Sequence, residues 1–235
     1  MAHAALREQV WKANLDLVKA GLVILTWGNA SGVDRDAGVM AIKPSGVAYD
    51  CLNAACMVPV SIATGEVLDG CSFRPSSDTP THLELYRAFD CGAIVHTHSE
   101  FATMFAQARQ PIRCMGTTHA DYFHGDVPVT RPMTKKEVDG DYEANTGKVI
   151  VETFKKGGVS ADEIPAVLVA NHAPFTWGPD ASRAIELAQM LEYLARLEWR
   201  TRTMAPDAPV PDQFLIDKHF FRKHGKTAYY GQGSK

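Results

Sequence analysis

The sequence has few of the features that mark exported, membrane-spanning or nucleic-acid-binding proteins. Its five cysteines are odd in number and include no C-x-x-C pair, which argues against a disulfide framework or a zinc ribbon. No apolar run approaches the roughly 20 residues that cross a bilayer. Its 24 basic residues do not outnumber its 27 acidic ones, so polyanionic partners are not favoured. We expect a soluble, reduced, cytoplasmic protein without nucleic-acid or membrane partners.

The sequence also lacks internal repeats, low-complexity tracts and Pro/Gly/Ser-rich linkers. Its 235 residues are 46% hydrophobic and 22% charged, which is ordinary globular composition and excludes a disordered or collagen-like chain. Arg7 and Glu8 stand where a signal peptide would have its apolar stretch, so no export is expected. The simplest interpretation is one α/β domain over residues 1–235.

Hydrophobic periodicity predicts alternating helices and short strands. Apolar side chains at helical spacing and turn-forming residues set the predicted boundaries. Thr79 before Pro80 is the predicted N-cap of the second helix. The segment 116–133 is rich in Thr, His, Asp, Gly and Pro and is expected to be a loop. Helices are predicted at 4–20, 79–89, 100–108, 141–155 and 181–203, with a short one after 214, and strands at 39–43, 57–62, 93–98 and 165–170.

Three histidines are candidate metal ligands. On a strand, side chains alternate faces, so His96 and His98 would project from one side about 7 Å apart and could chelate one ion. The alternative is a pair of surface histidines. His172 follows an apolar strand where it leaves the sheet. Three neutral imidazoles suit a divalent transition metal, zinc first, with positions left open for substrate or water.

Asp78 is an acidic candidate for a fourth position at this metal or for support of its ligands. It stands in a Pro-Ser-Ser-Asp-Thr-Pro segment just before the predicted second helix. The alternative role is capping of that helix.

A further set of residues is suited to phosphate binding. Serine hydroxyls, glycine amides and a helix N-terminus together can surround an anion. Each segment taken alone is also compatible with an ordinary turn. The candidates are Asn29, Ser45 and Gly46 after Lys43, and Ser76 and Ser77.

A carboxylate and a phenol are candidates for proton transfer. Asp121 lies in Gly116–Tyr122, and Tyr230 lies near the C-terminus of the sequence. Their ordinary pKa values, about 3.9 and 10, would have to move toward neutrality for efficient transfer. Tyr230 could instead be a packing residue, and the basic cluster around His219 could be a solvated face.

Taken together, these motifs resemble the L-ribulose-5-phosphate 4-epimerases, a branch of the class II aldolase and adducin-like family. The resemblance runs from about residue 6 to residue 232. The His-x-His and Pro-Ser-Ser motifs are shared with the aldolases, whereas the Gly-Thr-Thr-His-Ala-Asp-Tyr motif and the C-terminal tail are similar to the epimerase branch. The motifs are 26–29, 42–47, 75–82, 94–99, 116–122, 217–219 and 228–232.

The resemblance implies a zinc-dependent homotetramer with a central, mostly antiparallel sheet flanked by helices, and active sites at subunit interfaces. It implies that His96, His98 and His172 bind the metal, with Asp78 near it. Asn29, Lys43, Ser45, Gly46, Ser76 and Ser77 match the phosphate-binding positions. Asp121 and Tyr230 match the acid/base residues, contributed by different subunits, and His219 matches a further active-site residue.

The implied reaction is 4-epimerisation of L-ribulose 5-phosphate to D-xylulose 5-phosphate. The C4 proton is not next to a carbonyl, so simple deprotonation cannot invert this carbon. Retro-aldol cleavage of the C3–C4 bond, rotation of the aldehyde and re-addition can. No G-x-G-x-x-G segment follows a predicted strand, so a nicotinamide-dependent route lacks its cofactor site. The alternatives are a class II sugar-phosphate aldolase and a non-catalytic adducin-like interaction domain.

Overall fold

A computed structural model describes residues 2–68, 70–225 and 228–230. The described part contains eight α-helices and six β-strands. The helices are α1 (Ala4–Lys19), α2 (Thr79–Ala88), α3 (Glu100–Ala108), α4 (Thr117–Ala120), α5 (Lys135–Asp139), α6 (Tyr142–Gly157), α7 (Ala181–Met204) and α8 (Gln213–Phe221). The strands are β1 (Asn29–Asp34), β2 (Val39–Ile42), β3 (Val58–Ser61), β4 (Ala93–His96), β5 (Ala166–Leu168) and β6 (Pro174–Gly178).

The strands form one antiparallel sheet in the order β3-β2-β1-β4-β6-β5. This confirms the predicted α/β fold with a central antiparallel sheet flanked by helices. Strand β4 lies in the middle and is buried along its whole length, because helices cover both faces of the sheet. Among the helices described, none has the length and apolar character needed to cross a bilayer.

The two faces of the sheet are covered by different helix pairs. Helices α1 and α7 pack on one face, where Leu17 and Ala188 contact Ala30 and Val95. Helices α2 and α6 pack on the other face, in a cluster that includes Tyr86, Ile94, Phe154, Phe175 and Trp177. The functional candidates on the strands project toward the α2 and α6 side. The start of each of these two helices lies at the same end of the sheet as those candidates.

Helices α2 and α6 approach each other closely at Gly147. A Cβ atom at this position would lie 2.6 Å from the Cβ atom of Glu84 and 3.1 Å from the carbonyl oxygen of Thr81. Glycine is therefore required here by packing and not by backbone conformation. This close contact holds α6 against α2, and Tyr142 and Glu143 in the first turn of α6 line the candidate site.

Several boundaries differ from those predicted. Asp78, not Thr79, occupies the N-cap of α2, and the Thr79 hydroxyl donates back to the Ser76 carbonyl at 2.6 Å. The predicted loop 116–133 contains α4, and the strand predicted over 93–98 ends at His96. Strands β1 and β6 and helix α5 were not predicted.

Candidate functional site

All ten residues predicted to bind metal or phosphate line one cleft of about 390 Å³. The cleft lies where β1 begins and where β2 and β4 end, between the first turns of α2 and α6. It brings together segments that are up to about 140 residues apart in the sequence. The ten residues are Asn29, Lys43, Ser45, Gly46, Ser76, Ser77, Asp78, His96, His98 and His172.

The three histidines form a compact triad. His96 ends β4, His98 lies just beyond that strand, and His172 lies in the turn between β5 and β6. Their ring centroids are 5.0 to 5.1 Å apart, and one ring nitrogen of each lies within 4.8 Å of the others. Nitrogens bound to one tetrahedral zinc ion would be about 3.4 Å apart, given Zn–N bonds of about 2.1 Å. Small ring movements would bring the triad to that separation, so it fits a divalent transition metal.

The His96 ring is fixed from two sides. Its Nδ1 donates to the Pro174 carbonyl at 2.9 Å, and its face stacks on Phe175 at 4.2 Å between centroids. A carbonyl oxygen only accepts, so Nδ1 carries the hydrogen and Nε2 is left with a lone pair. A backbone acceptor of this kind sets the tautomer and orientation that metal-ligating histidines use.

Burial keeps two rings of the triad, those of His98 and His172, in the form that binds cations. Desolvation, with smaller contributions from His96 and His98, lowers the pKa of His172 to about 4. Desolvation and the neighbouring His96 also lower the pKa of His98. Both rings are therefore neutral at pH 7, which is the ligating state. In addition, Nδ1 of His172 is buried without a hydrogen-bond partner among the described residues.

Asp78 lies beside the triad but is not one of the mutually close ligand atoms. Its carboxylate accepts hydrogen bonds from Asn29 Nδ2 at 2.7 Å and from the Ser76 hydroxyl at 3.3 Å. Burial raises its pKa, but His96, His82 and the Asn29 hydrogen bond outweigh burial and lower it. Although Asp78 occupies the N-cap position of α2, its side chain makes no capping hydrogen bond. The carboxylate therefore supplies negative charge next to the triad.

Lys43 brings a buried positive charge to the lining of the cleft. Its residue is only 2% exposed, and its ammonium group contacts the carbonyls of Thr26 and Pro44, each at 3.4 Å. It also lies 4.9 Å from the ring centre of Tyr49. Burial lowers the pKa of Lys43. Long contacts to neutral carbonyls leave the ammonium group poorly compensated, so an anion in the cleft would stabilise it.

Neighbouring groups complete an anion cradle around Lys43. Ser45 and Gly46 follow it in a turn where Gly46 has a φ of +68°. Ser76 and Ser77 stand across the cleft before α2, and the Ser76 amide donates to the Lys43 carbonyl at 3.0 Å, which joins the two segments. Hydroxyl and amide donors beside a buried lysine can bind phosphate oxygens.

Asn29 links the cradle to the triad. Its Nδ2 donates to Asp78 and to Ser76, whereas its Oδ1 is buried without a partner among the residues described. This oxygen can accept a hydrogen bond from a molecule bound in the cleft. Asn29 also pairs with His96 across β1 and β4, which places the two side by side in the cleft.

Six residues that line the cleft were not predicted as site residues, and Trp27, Tyr142 and Glu143 are among them. The Trp27 ring is 5.7 Å from that of His98 and is more than half exposed. Tyr142 has its ring 6.4 Å from that of His172, and Glu143 follows it in the first turn of α6. The sequence predicted a helix that begins at residue 141, and Tyr142 and Glu143 are in its first turn. Nothing in the sequence alone placed that start beside His172.

The acid/base candidates Asp121 and Tyr230 and the further active-site candidate His219 do not line the cleft. Instead, Asp121 follows α4 and is surrounded by polar side chains from α8 and the segment after it. Its carboxylate accepts two hydrogen bonds from Arg222 Nη2 and one from His219 Nδ1, all at 3.0 Å. It also forms an ion pair with Lys223 at 3.1 Å. Burial opposes ionisation, but these donors outweigh it and lower the pKa of Asp121. The carboxylate is therefore anionic at neutral pH.

Tyr230 belongs to the same group of residues, called here the Asp121 cluster: Asp121, His219, Arg222, Lys223 and Tyr230. Its ring centre is 4.9 Å from the Arg222 guanidinium carbon and 4.6 Å from Lys223 Nζ, while the residue is largely exposed. Its amide donates to the Arg222 carbonyl at 3.0 Å. Gly231 and Gln232 of the predicted tail motif lie outside the described residues.

An antiparallel α/β fold with a histidine triad and an anion cradle in one cleft defines a class II aldolase type of protein. The pattern of the family "Class II Aldolase and Adducin N-terminal domain" matches residues 8–199. The chain belongs to this family.

Solved structures agree with this assignment. An L-fuculose 1-phosphate aldolase is 27% identical, with a TM-score of 0.78 over 94% of this chain and 97% of that one. YgbL from Klebsiella pneumoniae, a candidate aldolase/epimerase/decarboxylase, is 25% identical, with a TM-score of 0.70 over 93% and 99%. L-fuculose-1-phosphate aldolase from Thermus thermophilus shares the fold at 23% identity, with a TM-score of 0.67 over 89% and 100%.

Proposed function

We propose that this protein is a divalent-metal-dependent, zinc-preferring 4-epimerase that interconverts L-ribulose 5-phosphate and D-xylulose 5-phosphate. The observation that carries the proposal is the single cleft that holds the histidine triad and the phosphate cradle. A sugar phosphate could bind there with its carbonyl end at the triad and its phosphate at Lys43. The two segments that distinguish the epimerase branch also contact each other through Asp121 and His219.

Each group has a defined task in the proposed reaction. A divalent ion held by His96, His98 and His172 would supply Lewis-acid stabilisation of negative charge developing on the substrate oxygens. One residue of the Asp121–Tyr230 pair takes the proton of the C4 hydroxyl as the C3–C4 bond breaks. The other returns a proton to the new C4 alkoxide after the aldehyde has rotated and the bond has re-formed.

The phosphate cradle decides between epimerisation and aldol cleavage. Cleavage gives glycolaldehyde phosphate and the three-carbon dihydroxyacetone fragment. Lys43, Ser45 and Ser76 would hold the phosphorylated fragment while its aldehyde group rotates and presents its opposite face to the three-carbon fragment. A cradle that releases it would make the protein an aldolase, which is the second candidate because an L-fuculose 1-phosphate aldolase is similar over nearly the whole chain.

Purified, zinc-loaded protein with L-ribulose 5-phosphate tests the proposal. Formation of D-xylulose 5-phosphate, followed with a coupled enzyme, supports epimerisation. Release of free dihydroxyacetone and glycolaldehyde phosphate at a rate comparable to that of epimerisation identifies an aldolase. Formation of neither product at high enzyme concentration would overturn both, and would favour the non-catalytic alternative.

We further propose that the cleft of one subunit works with the Asp121 cluster of a second copy in a homotetramer. The support is that Asp121, His219 and Tyr230 do not line the cleft of their own chain. Mixing His98→Asn and Asp121→Asn subunits under exchange conditions tests this. Each variant alone should be inactive, whereas the mixture should regain activity in clefts that combine an intact triad with an intact Asp121. A mixture that stays inactive while hybrid oligomers form would refute it.

A further inference from the structure

His124 is held between two carboxylates that belong to different parts of the fold. Its Nδ1 is 2.8 Å from Glu163 Oε2, in the turn before β5. Its Nε2 is 2.8 Å from Asp217 Oδ1, on α8. The His124 side chain is 17% exposed, while the two carboxylates are about 40% exposed.

This geometry requires a doubly protonated ring. Carboxylates ordinarily carry a negative charge at neutral pH, and an ionised carboxylate only accepts hydrogen bonds. A neutral imidazole has one N–H and could satisfy only one of them. Two contacts of 2.8 Å on opposite ring nitrogens therefore indicate an imidazolium ion.

The ring also packs against the hydrophobic side of α8. It stacks on Phe220 at 4.7 Å between centroids with planes 18° apart, and it meets the edge of Phe221 at 4.9 Å. Phe220 and Ile216 are the buried residues of this helix. With so little apolar anchoring, α8 depends on polar contacts for its placement. His219 lies on this helix, and Arg222 is its C-cap.

We propose that the His124 imidazolium, paired at once with Glu163 and Asp217, is a positioning group that seats α8 and thereby presents His219 and Arg222 to Asp121. Its backbone amide also donates to the Glu163 carbonyl at 3.1 Å, so one side of this junction is independent of protonation. The contact that depends on the protonation of His124 is the one with Asp217 on α8.

Other charged groups nearby have their own partners. Gln213 Nε2 donates to the same Asp217 oxygen at 2.8 Å. The Asp217 carboxylate therefore keeps a hydrogen bond within α8 when its contact with His124 is lost. His224 stacks on Phe220 at 4.4 Å and contacts the Asp121 carbonyl at 3.0 Å. Asp121 itself faces Arg222, His219 and Lys223. Glu163 and Asp217 are the carboxylates within hydrogen-bond distance of the His124 ring.

The direction of the pH effect follows from the pairing. Burial lowers the pKa of His124, but the two carboxylates outweigh it and raise it above 6.5. The stabilising contribution is therefore complete below pH 6.5 and is lost as the pH rises through the raised value. Above it, one ring nitrogen presents a lone pair to a carboxylate oxygen, and α8 should loosen.

An NMR titration of the ring nitrogens of His124 in the full-length protein is the direct test. We expect a doubly protonated ring below pH 6.5 and a pKa above 6.5 that falls in Asp217→Asn. Asp207→Asn, which removes the same charge from an exposed loop, should leave it unchanged. A pKa at or below 6.5, or equal responses to the two substitutions, would overturn the proposal.

Hydrogen exchange of the α8 amides tests the positioning role. After correction for intrinsic exchange chemistry, wild-type α8 should exchange roughly two- to fivefold faster above the His124 pKa than below it, the range expected for one partly exposed pair. His124→Gln should exchange fast at both pH values. If the difference between wild type and His124→Gln is the same at both, the proton has no role. Asp217→Asn provides the same comparison should His124→Gln fold poorly.

An activity measurement extends the test and rests on the proposed function. If Asp121, His219 and Tyr230 serve the epimerase reaction, His124→Gln should lower kcat more than it raises KM. It should also flatten the alkaline side of the wild-type pH profile. The titration and exchange experiments do not need substrate, so they judge the positioning proposal even if the enzyme proves to catalyse another reaction.

Discussion

Replacing Lys43 by methionine should weaken phosphate binding and stabilise the fold, because the same buried ammonium group acts on both. Methionine keeps most of the volume of the lysine stem and removes the charge. Lys43 is 2% exposed and contacts two neutral carbonyls at 3.4 Å, and burial already lowers its pKa. In the free protein the charge is therefore a cost, and with a phosphate bound it is an attraction.

The expected magnitudes follow from this environment. A hydrogen bond between charged groups contributes about 1.5–3 kcal/mol, so the Kd for L-ribulose 5-phosphate should rise roughly 10- to 150-fold. Removing an uncompensated buried charge should add about 0.5–2 kcal/mol of unfolding free energy. For a chain of this size that corresponds to a Tm higher by a few degrees.

Calorimetric titration with L-ribulose 5-phosphate and with L-ribulose separates the phosphate contribution from the rest. Only the phosphorylated ligand should lose affinity. Lys12→Met is the matched control, because the Lys12 side chain is 64% exposed and pairs with Glu8 on the surface of α1. Equal losses for the two ligands, or a Tm that falls in Lys43→Met, would refute the assignment of Lys43 to the anion cradle.

Three further predictions concern the metal site and the helix packing. His98→Asn should weaken zinc binding by more than the roughly 10–100-fold that is typical of losing a residue that supports a ligand. Asp121→Asn should keep its zinc. Chelator competition measures both affinities, and equal losses would contradict the division of roles. Because the pKa of His172 is about 4, protons should compete with the metal at this residue only near and below that pH. A proton that competes with zinc at His172 between pH 7 and pH 6 would argue against this assignment. Gly147→Ala should lower the unfolding free energy by about 1–3 kcal/mol in urea, since the new Cβ meets Glu84 at 2.6 Å. The control Gly157→Ala, in the same helix with its nearest contact at 3.4 Å, should not be destabilised.

The helices and the metal triad could be predicted because their signals are local. The apolar positions of α7 repeat at helical spacing over its 24 residues, and the structure confirms that helix almost to the residue. His96 and His98 are close in sequence, so any extended conformation brings them near each other. The details differ, since His98 lies beyond β4 and not on it.

The missed strands show where local signals fail. Strand β1 reads Asn-Ala-Ser-Gly-Val-Asp, residues with poor strand preference apart from valine. It forms because it is paired on both sides, with β2 and β4, in the middle of the sheet. Its Ser31 hydroxyl is also buried against His82 Nδ1 at 2.7 Å and the Tyr86 hydroxyl at 2.8 Å on α2. Tertiary contacts of this kind are not visible in a window of six residues.

The register of β1 explains why metal and phosphate residues share one cleft. Asn29 lies opposite His96 on β4, and Ser31 lies opposite Ile42 on β2, so Lys43 follows Ile42 at the same end of the sheet. Asn29 and Ser31 point toward α2, whereas Ala30 points toward α1 and α7. A slip of one residue would turn Asn29 away from Asp78 and place Ala30 on the α2 face instead. The pairing of β1 with both neighbours therefore fixes the distance between the triad and the proposed phosphate cradle, and under the proposed function that distance limits the length of a sugar phosphate that can reach both.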